Sequence, residues 1–202
     1  ILKDRLYTFK NTSAERRSAQ TALYEILLSL CKIISPILSF TGDEVFESLT
    51  KDKFGSIHLE TWPDIENFNR EIKSHLDDRK YEDWNKLFLV REVVLKALEI
   101  KRGDGLIGSS LESKIIINCG DTGINEVLNS YSGFLPAIFI ASQVELAMPR
   151  DVTLKADDLK LTIGIEKAEG KKCERCWNYD VSTGLDKDHP NICPKCVKAV
   201  RN

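Results

Sequence analysis

The chain has 202 residues, 42% of them hydrophobic and 30% charged, with a formal net charge of −2. That is enough apolar material for one or two domains with real cores, and no apolar run reaches the ~18 residues a membrane helix needs. Near-zero net charge argues against a general polyanion binder. Its distribution is uneven, however: Lys160 to Asn202 carries nine Lys/Arg against six Asp/Glu, a local basic surface that can meet a phosphate backbone. The chain opens ILKDRLYTFK, without an initiator Met or a secretory leader, and reads as part of a larger protein.

Residues 12–35 read as a helix. Thr12 and Glu15 have capping-box spacing. Ala19, Leu23, Ile26, Leu27, Leu30 and Ile34 recur at helical period, and Pro36 sets a break near Ser35. A second helix is expected from Thr41, with a box partner at Glu44 and a core face of Val45, Phe46 and Leu49. SIHLETWPD at 56–64 has no such period and reads as a loop. The strongest helix covers 79–102, where Tyr81, Trp84, Leu87, Phe88, Val94, Leu95 and Leu98 form a stripe that Gly103 and Gly105 end. Aromatics at helical spacing are expected in a core rather than as a stacking platform for bases.

Beyond Gly108 the pattern changes. SKIIINC at 113–119 is strand-like, 122–131 is a short helix, and AIFIASQVELA at 137–147 reads as a strand region. Leu159, Leu161, Ile163 and Ile165 alternate with polar residues, as in a strand with one wet face. Boundaries are expected near 63–76 and near 168–172. No internal repeat or low-complexity tract is visible.

Of six cysteines, Cys31 and Cys119 lie singly in apolar segments and read as small core residues. The other four follow C-x2-C-x16-C-x2-C: Cys173, Cys176, Cys193 and Cys196. Two residues between cysteines let a tight turn aim both sulfurs at one point, and two such knuckles complete a tetrahedron. Zinc wants four soft ligands at about 2.3 Å, and with all four positions filled by thiolates no place remains for water or substrate. The reading is one structural Zn2+ that supplies most of the folding energy of a segment too short to bury much apolar surface. Two disulfides and a redox Cys-x-x-Cys are the alternatives. His189 next to Pro190 reads as a turn rather than a ligand. The predicted fold is α+β: a helical bundle portion over 1–65, a long helix plus a small mixed α/β portion over 76–167, and a four-cysteine zinc ribbon over 168–202.

KCERCW followed by HPNICPKCV resembles the C-terminal zinc finger of bacterial-type isoleucyl-tRNA synthetases, a finger shared with DNA glycosylases of the formamidopyrimidine type. DRLYTFKNTSAERRSAQTALYEIL with SPILSFTGDEVFESL looks like the helical anticodon-binding domain of class I synthetases; HLETWP and LIGSSLESKIII match segments that follow it, in order. The resemblance covers nearly the whole chain. It implies the tRNA-binding end of an ATP-dependent isoleucine–tRNA ligase that holds the anticodon stem-loop of isoleucine tRNA, with catalytic and editing domains upstream. The family's His-Ile-Gly-His and Lys-Met-Ser-Lys-Ser motifs are absent, so this part is expected to be non-catalytic and to bind no ATP itself. A monomer in the cytoplasm, or in an organellar matrix, is expected.

In that role, Arg175 and Trp177 beside the first knuckle are candidates for contact with unstacked bases or phosphates, and Lys171, Lys172 and Lys195 for phosphates. Trp177 packing over the knuckle is the competing reading. Arg16 and Arg17 are further candidates, but neighbours on a helix diverge by about 100°, so at most one faces RNA, and a solvated face is the plain alternative. Two rival functions remain. One is a ribbon that only docks protein on protein. The other is a glycosylase, which needs an N-terminal Pro-Glu, and no Pro-Glu occurs in the chain.

Overall fold

The computed structural model describes residues 2–51, 55–62, 64–66, 70 and 78–201. The fold is α+β, in two compact units, one over residues 4–77 and one from Asp78 onward. The boundary expected near 63–76 and the proline of the 56–64 segment lie largely outside the described residues.

The first unit is helical. Helix α1 (Leu2–Thr8) precedes α2 (Ala14–Ile34) and α3 (Ser39–Thr50). The cap of α2 is Ser13, whose side chain accepts from Arg16 N at 3.3 Å, not the expected Thr12. Helix α3 starts at Ser39 rather than Thr41, because the turn after α2 is already helical: Leu38 N donates to Ile34 O and Gly42 N to Leu38 O, both at 2.8 Å. Gly42 lets α2 and α3 approach closely, since a Cβ there would sit 3.2 Å from Ser35 Cβ. Within the 56–64 loop, Ile57–Leu59 forms a single 3-10 turn held by Asp43 Oδ1, which accepts from Ser56 Oγ at 2.8 Å and Ile57 N at 2.9 Å. Cys31, Phe46 and Ile57 make the small core, with Leu28 and Val45 against it. The expected apolar stripe of α2 is only partly used: Ala19 is buried, but Ile26, Leu27 and Leu30 are exposed. Helix α3 and the Ile57 turn cover one side of a broader apolar surface.

The second unit begins with the long helix α4 (Asp78–Gly103). It packs on a four-stranded sheet of β1 (Ser113–Cys119), β2 (Gln143–Leu146), β3 (Leu154–Ala156) and β4 (Leu161–Lys167), in the order β2-β1-β4-β3. Strands β1 and β2 are parallel, joined by α5 (Thr122–Ser130) and α6 (Leu135–Phe139); β4 runs antiparallel to both β1 and β3. A parallel pair requires such a crossover. Leu87, Val94 and Leu98 of α4 meet Ile115 and Ile117 of β1, Ile163 and Ile165 of β4, and Phe139 in one buried cluster. Tyr81 and Phe88, assigned to the core by their spacing, are exposed, and Trp84 is half-buried against Phe88 and Tyr131. The stripe is wider than the sheet beneath it.

The expected strand region at 137–147 divides in two. Its first apolar half is the helical turn α6, and the strand starts only at Gln143. A short, continuous apolar run has no periodicity to separate the two states. Between them Ile140 adopts a left-handed conformation, φ 58°, which reverses the chain. A β-branched residue there is strained by roughly 1–3 kcal/mol. Gly164 in β4 is required by close approach, since a Cβ would lie 2.5 Å from Pro149 Cβ and 2.7 Å from Asp151 O. The unit closes with a two-stranded hairpin, β5 (Lys171–Lys172) with β6 (Tyr179–Asp180), and a short helix α7 (Pro194–Val200).

Candidate metal centre and nucleic-acid interface

The four paired cysteines converge. The Sγ atoms of Cys173, Cys176, Cys193 and Cys196 all lie within 4.8 Å of one another. Each knuckle builds half of the set. In the first, Cys173 N donates to Asn178 O at 2.9 Å and Trp177 N to Cys173 O at 2.9 Å, so the chain turns around the sulfurs. In the second, Pro194 starts α7 just after Cys193, and Val197 N returns to Cys193 O at 3.0 Å. The halves meet where Cys193 N donates to Cys173 Sγ at 3.3 Å and Cys176 Sγ lies 3.6 Å from Cys193 Sγ. A tetrahedron with ~2.3 Å zinc–sulfur bonds has edges of about 3.8 Å, so the set fits such an ion. His189 is not in the cluster; its N–H donates to Asp186 Oδ1 in the turn expected of it.

The electrostatics suit a cation. Hydrogen bonding from Cys176, joined by Arg175, pushes Cys196 down to about 5, while burial pushes Cys193 up to about 11. Cys176 is pushed up by its hydrogen bond to Cys196 and by burial. Four thiols this close cannot all ionise without positive charge among them. Packing makes the same point. The buried cluster of this segment is Cys173, Cys193 and Cys196, with Cys176 and Ile192 against it, while Val181 and Leu185 are exposed. This core is built of sulfur, and the cluster suggests a structural zinc.

The structure separates the proposed RNA-contact residues into three groups. Trp177 is 62% exposed, with Lys172 Nζ 5.8 Å from its ring centroid. Its backbone is left-handed, φ 66°, a conformation rare for a bulky side chain. Most of the indole is open to solvent. Lys171 and Lys172 are both exposed on β5, and of the two it is Lys172 that lies against the ring. Arg175 turns inward instead: its Nη1 donates to Cys196 Sγ at 3.6 Å, and the residue is half-buried. Lys195 is also half-buried, on α7. Arg16 and Arg17 belong to the other unit, in the first turn of α2. Arg17 is exposed, whereas Arg16 is half-buried with Nε inaccessible and without a hydrogen-bond partner.

Several contacts lie outside the reach of sequence reasoning. Arg201 Nη2 bonds Asp186 at 2.8 Å and Asp188 at 3.1 Å, closing the loop between the knuckles. Lys114 bridges Glu145 and Glu169, each at 2.9 Å, and the hydrogen bonds it donates to Glu169 and then to Glu145 hold its pKa above the ordinary lysine value. No local pattern announces such pairs, because their members are distant in the chain.

A helical unit followed by a cysteine-centred finger defines a class, and the comparisons with known proteins agree. The profile of the anticodon-binding domain of tRNA ligase matches residues 1–117, and that of a zinc finger found in FPG and IleRS matches residues 170–199. The chain belongs to the family of tRNA-ligase anticodon-binding domains. Its relatives narrow the class. It is 42% identical over 203 residues to an isoleucine–tRNA ligase of Petrotoga mobilis, covering 100% of this chain and 21% of the relative. Likewise it is 41% identical over 204 residues to that of Kosmotoga olearia and 39% over 204 residues to that of Thermotoga maritima, again with 100% and 21% coverage. The chain thus spans about a fifth of the length of the curated relatives it matches.

Proposed function

We propose that the chain is the tRNA-binding C-terminal part of an isoleucine–tRNA ligase. It holds the anticodon stem-loop of isoleucine tRNA, while upstream domains carry out ATP-dependent aminoacylation. Cys173, Cys176, Cys193 and Cys196 hold one Zn2+, which folds the finger and performs no chemistry. Arg175 offsets the negative charge of the four thiolates from within. Trp177 offers its face to an unstacked base, Lys171 and Lys172 attract the phosphates beside it, and Arg17 is the helical unit's candidate.

The observation that carries this reading is the presentation of Trp177. A large apolar ring, exposed at 62% and held at φ 66°, costs stability and leaves most of its surface to solvent. Unstacked loop bases are read by such rings with cations on the backbone, and base–aromatic stacking contributes about 1–3 kcal/mol per base. Glycine fits that backbone conformation better than tryptophan. In the ligase, Trp177→Gly is expected to weaken isoleucine tRNA binding by about 5- to 150-fold. Zinc content and ATP-dependent isoleucine activation should not change. Equal tRNA affinity in variant and wild type would remove the stacking role.

A second reading has its own observation: the finger is bonded directly to the sheet, Tyr179 N to Ser142 Oγ at 2.7 Å. On this reading the finger is a docked clamp without RNA contact. Removal of zinc would then loosen the segment and leave tRNA affinity unaltered.

A further inference from the structure

The passage from sheet to finger, 168–172, has the look of a linker in sequence, yet its first two residues are fastened to the sheet. Ala168 N donates to Glu112 O at 2.7 Å. Glu169 N donates to Gln143 Oε1 at 2.9 Å, and Gln143 Nε2 donates back to Glu169 O at 3.0 Å. The side-chain amide thereby supplies the paired bonds that a neighbouring strand would. The Glu169 carboxylate takes Lys114 Nζ from β1. On the other strand of the finger hairpin, Tyr179 N donates to Ser142 Oγ at 2.7 Å, and that hydroxyl donates onward to Leu111 O.

Two adjacent residues, Ser142 and Gln143, therefore grip the finger at two points. One point is its entry at Glu169. The other is β6, the partner of β5, through Tyr179, which pairs with Lys172. A single point of attachment leaves a swivel, whereas two, one at the entry and one on β6, fix the rotation. The left-handed turn at Ile140 brings the chain to this place, and Ala141, 3% exposed, roots it in the core. Both gripping side chains are only half-buried, so water can replace each lost bond. Their removal should release the angle of the finger without unfolding it.

We propose that Ser142 and Gln143 form an orientation latch, positioning residues that set the finger's rotation on the sheet so that the Trp177 face meets tRNA in one place. The proposal rests on the tRNA-binding reading above. Its test is the double variant Ser142→Ala/Gln143→Ala, studied both in the 202-residue chain and in the ligase that contains it. Zinc should stay bound. By 15N relaxation, the wild-type finger should tumble with the sheet, and the variant finger should move faster and separately. In the ligase, KM for isoleucine tRNA should rise about tenfold, with kcat and isoleucine activation unchanged. Ser142→Thr, which keeps the hydroxyl, should restore most of the loss from Ser142→Ala. If the double variant loses zinc, Ser142→Ala alone is read in its place. Common tumbling and an unchanged tRNA KM would overturn the latch. Trp177→Gly, run in parallel, separates the two ideas. If it raises the tRNA KM and the latch variant does not, the latch fails and the tRNA reading stands. If neither raises it, both fall.

Discussion

The sheet and the finger belong to one compact unit but are held together by different means. The sheet has a hydrocarbon core: Leu87, Ile115, Leu128, Phe139 and Ile163 are all inaccessible or nearly so. The finger's buried cluster is three cysteines with two partly buried neighbours. The contrast teaches how a short segment becomes rigid enough to present a surface. Helices can hide their apolar faces against a sheet. A hairpin of two-residue strands cannot, and on the reading proposed above its order comes from a bound ion and from the side chains that fasten it to the sheet.

The contrast breaks most decisively at the metal. Cys173→Ser, or chelation, should release the ion and disorder the finger, because ion binding supplies on the order of 10 kcal/mol to a segment like this. The sheet should persist, since no residue beyond Ile165 contributes to its buried cluster among the described residues. Metal analysis with amide hydrogen exchange would show both, and loss of protection in β1 and β4 would break the comparison. Phe139→Ala is the converse experiment. It removes a fully buried ring from the sheet's core and should cost about 3–5 kcal/mol in chemical denaturation. Zinc content measured below that transition should stay the same. The smallest effect lies in the helical unit, where polar bonds to Asp43 add to the burial of Ile57 in holding its turn. The Asp43 carboxyl is held below its ordinary pKa by bonds from Ser56 Oγ and Ile57 N. A depressed folded pKa contributes stability that is fully present above the unfolded value of ~3.9 and is lost as pH falls through the folded value. Thermal melts across that acid window should show the loss in wild type and its absence in Asp43→Asn.

How far these regions can be read from sequence follows the same division. Helix α4 and strand β1 are legible because their apolar residues recur over many turns or form a continuous β-branched run. The cysteine cluster is legible because ligation is local: two residues between cysteines suffice to aim both sulfurs. Strand β3, three residues long, leaves no pattern of its own, and α6 reads as strand because AIFIA carries no period. The exposure of Ile26, Leu30, Tyr81 and Phe88 is also out of reach, since periodicity marks an apolar face but not what covers it. Arg175 illustrates the limit within the site. Its position between two ligands suits either offsetting the thiolate charge or contacting RNA, and sequence alone does not separate the two; that its guanidinium donates to Cys196 Sγ is visible only in the structure. Ser142 lies 37 residues from its partner Tyr179, and nothing in ASQVEL hints at the bond.

That the zinc-ordered finger is part of the tRNA-binding surface is tested most directly by titrating the 202-residue chain, at fixed low salt, against isoleucine tRNA, a non-cognate tRNA and duplex DNA, first with zinc and then after chelation. The expected result is preferential binding of isoleucine tRNA that weakens at least about tenfold when zinc is removed, the loss of one stacked base and its neighbouring cations. Binding that is indifferent to chelation would contradict this and leave the finger as a clamp on the sheet.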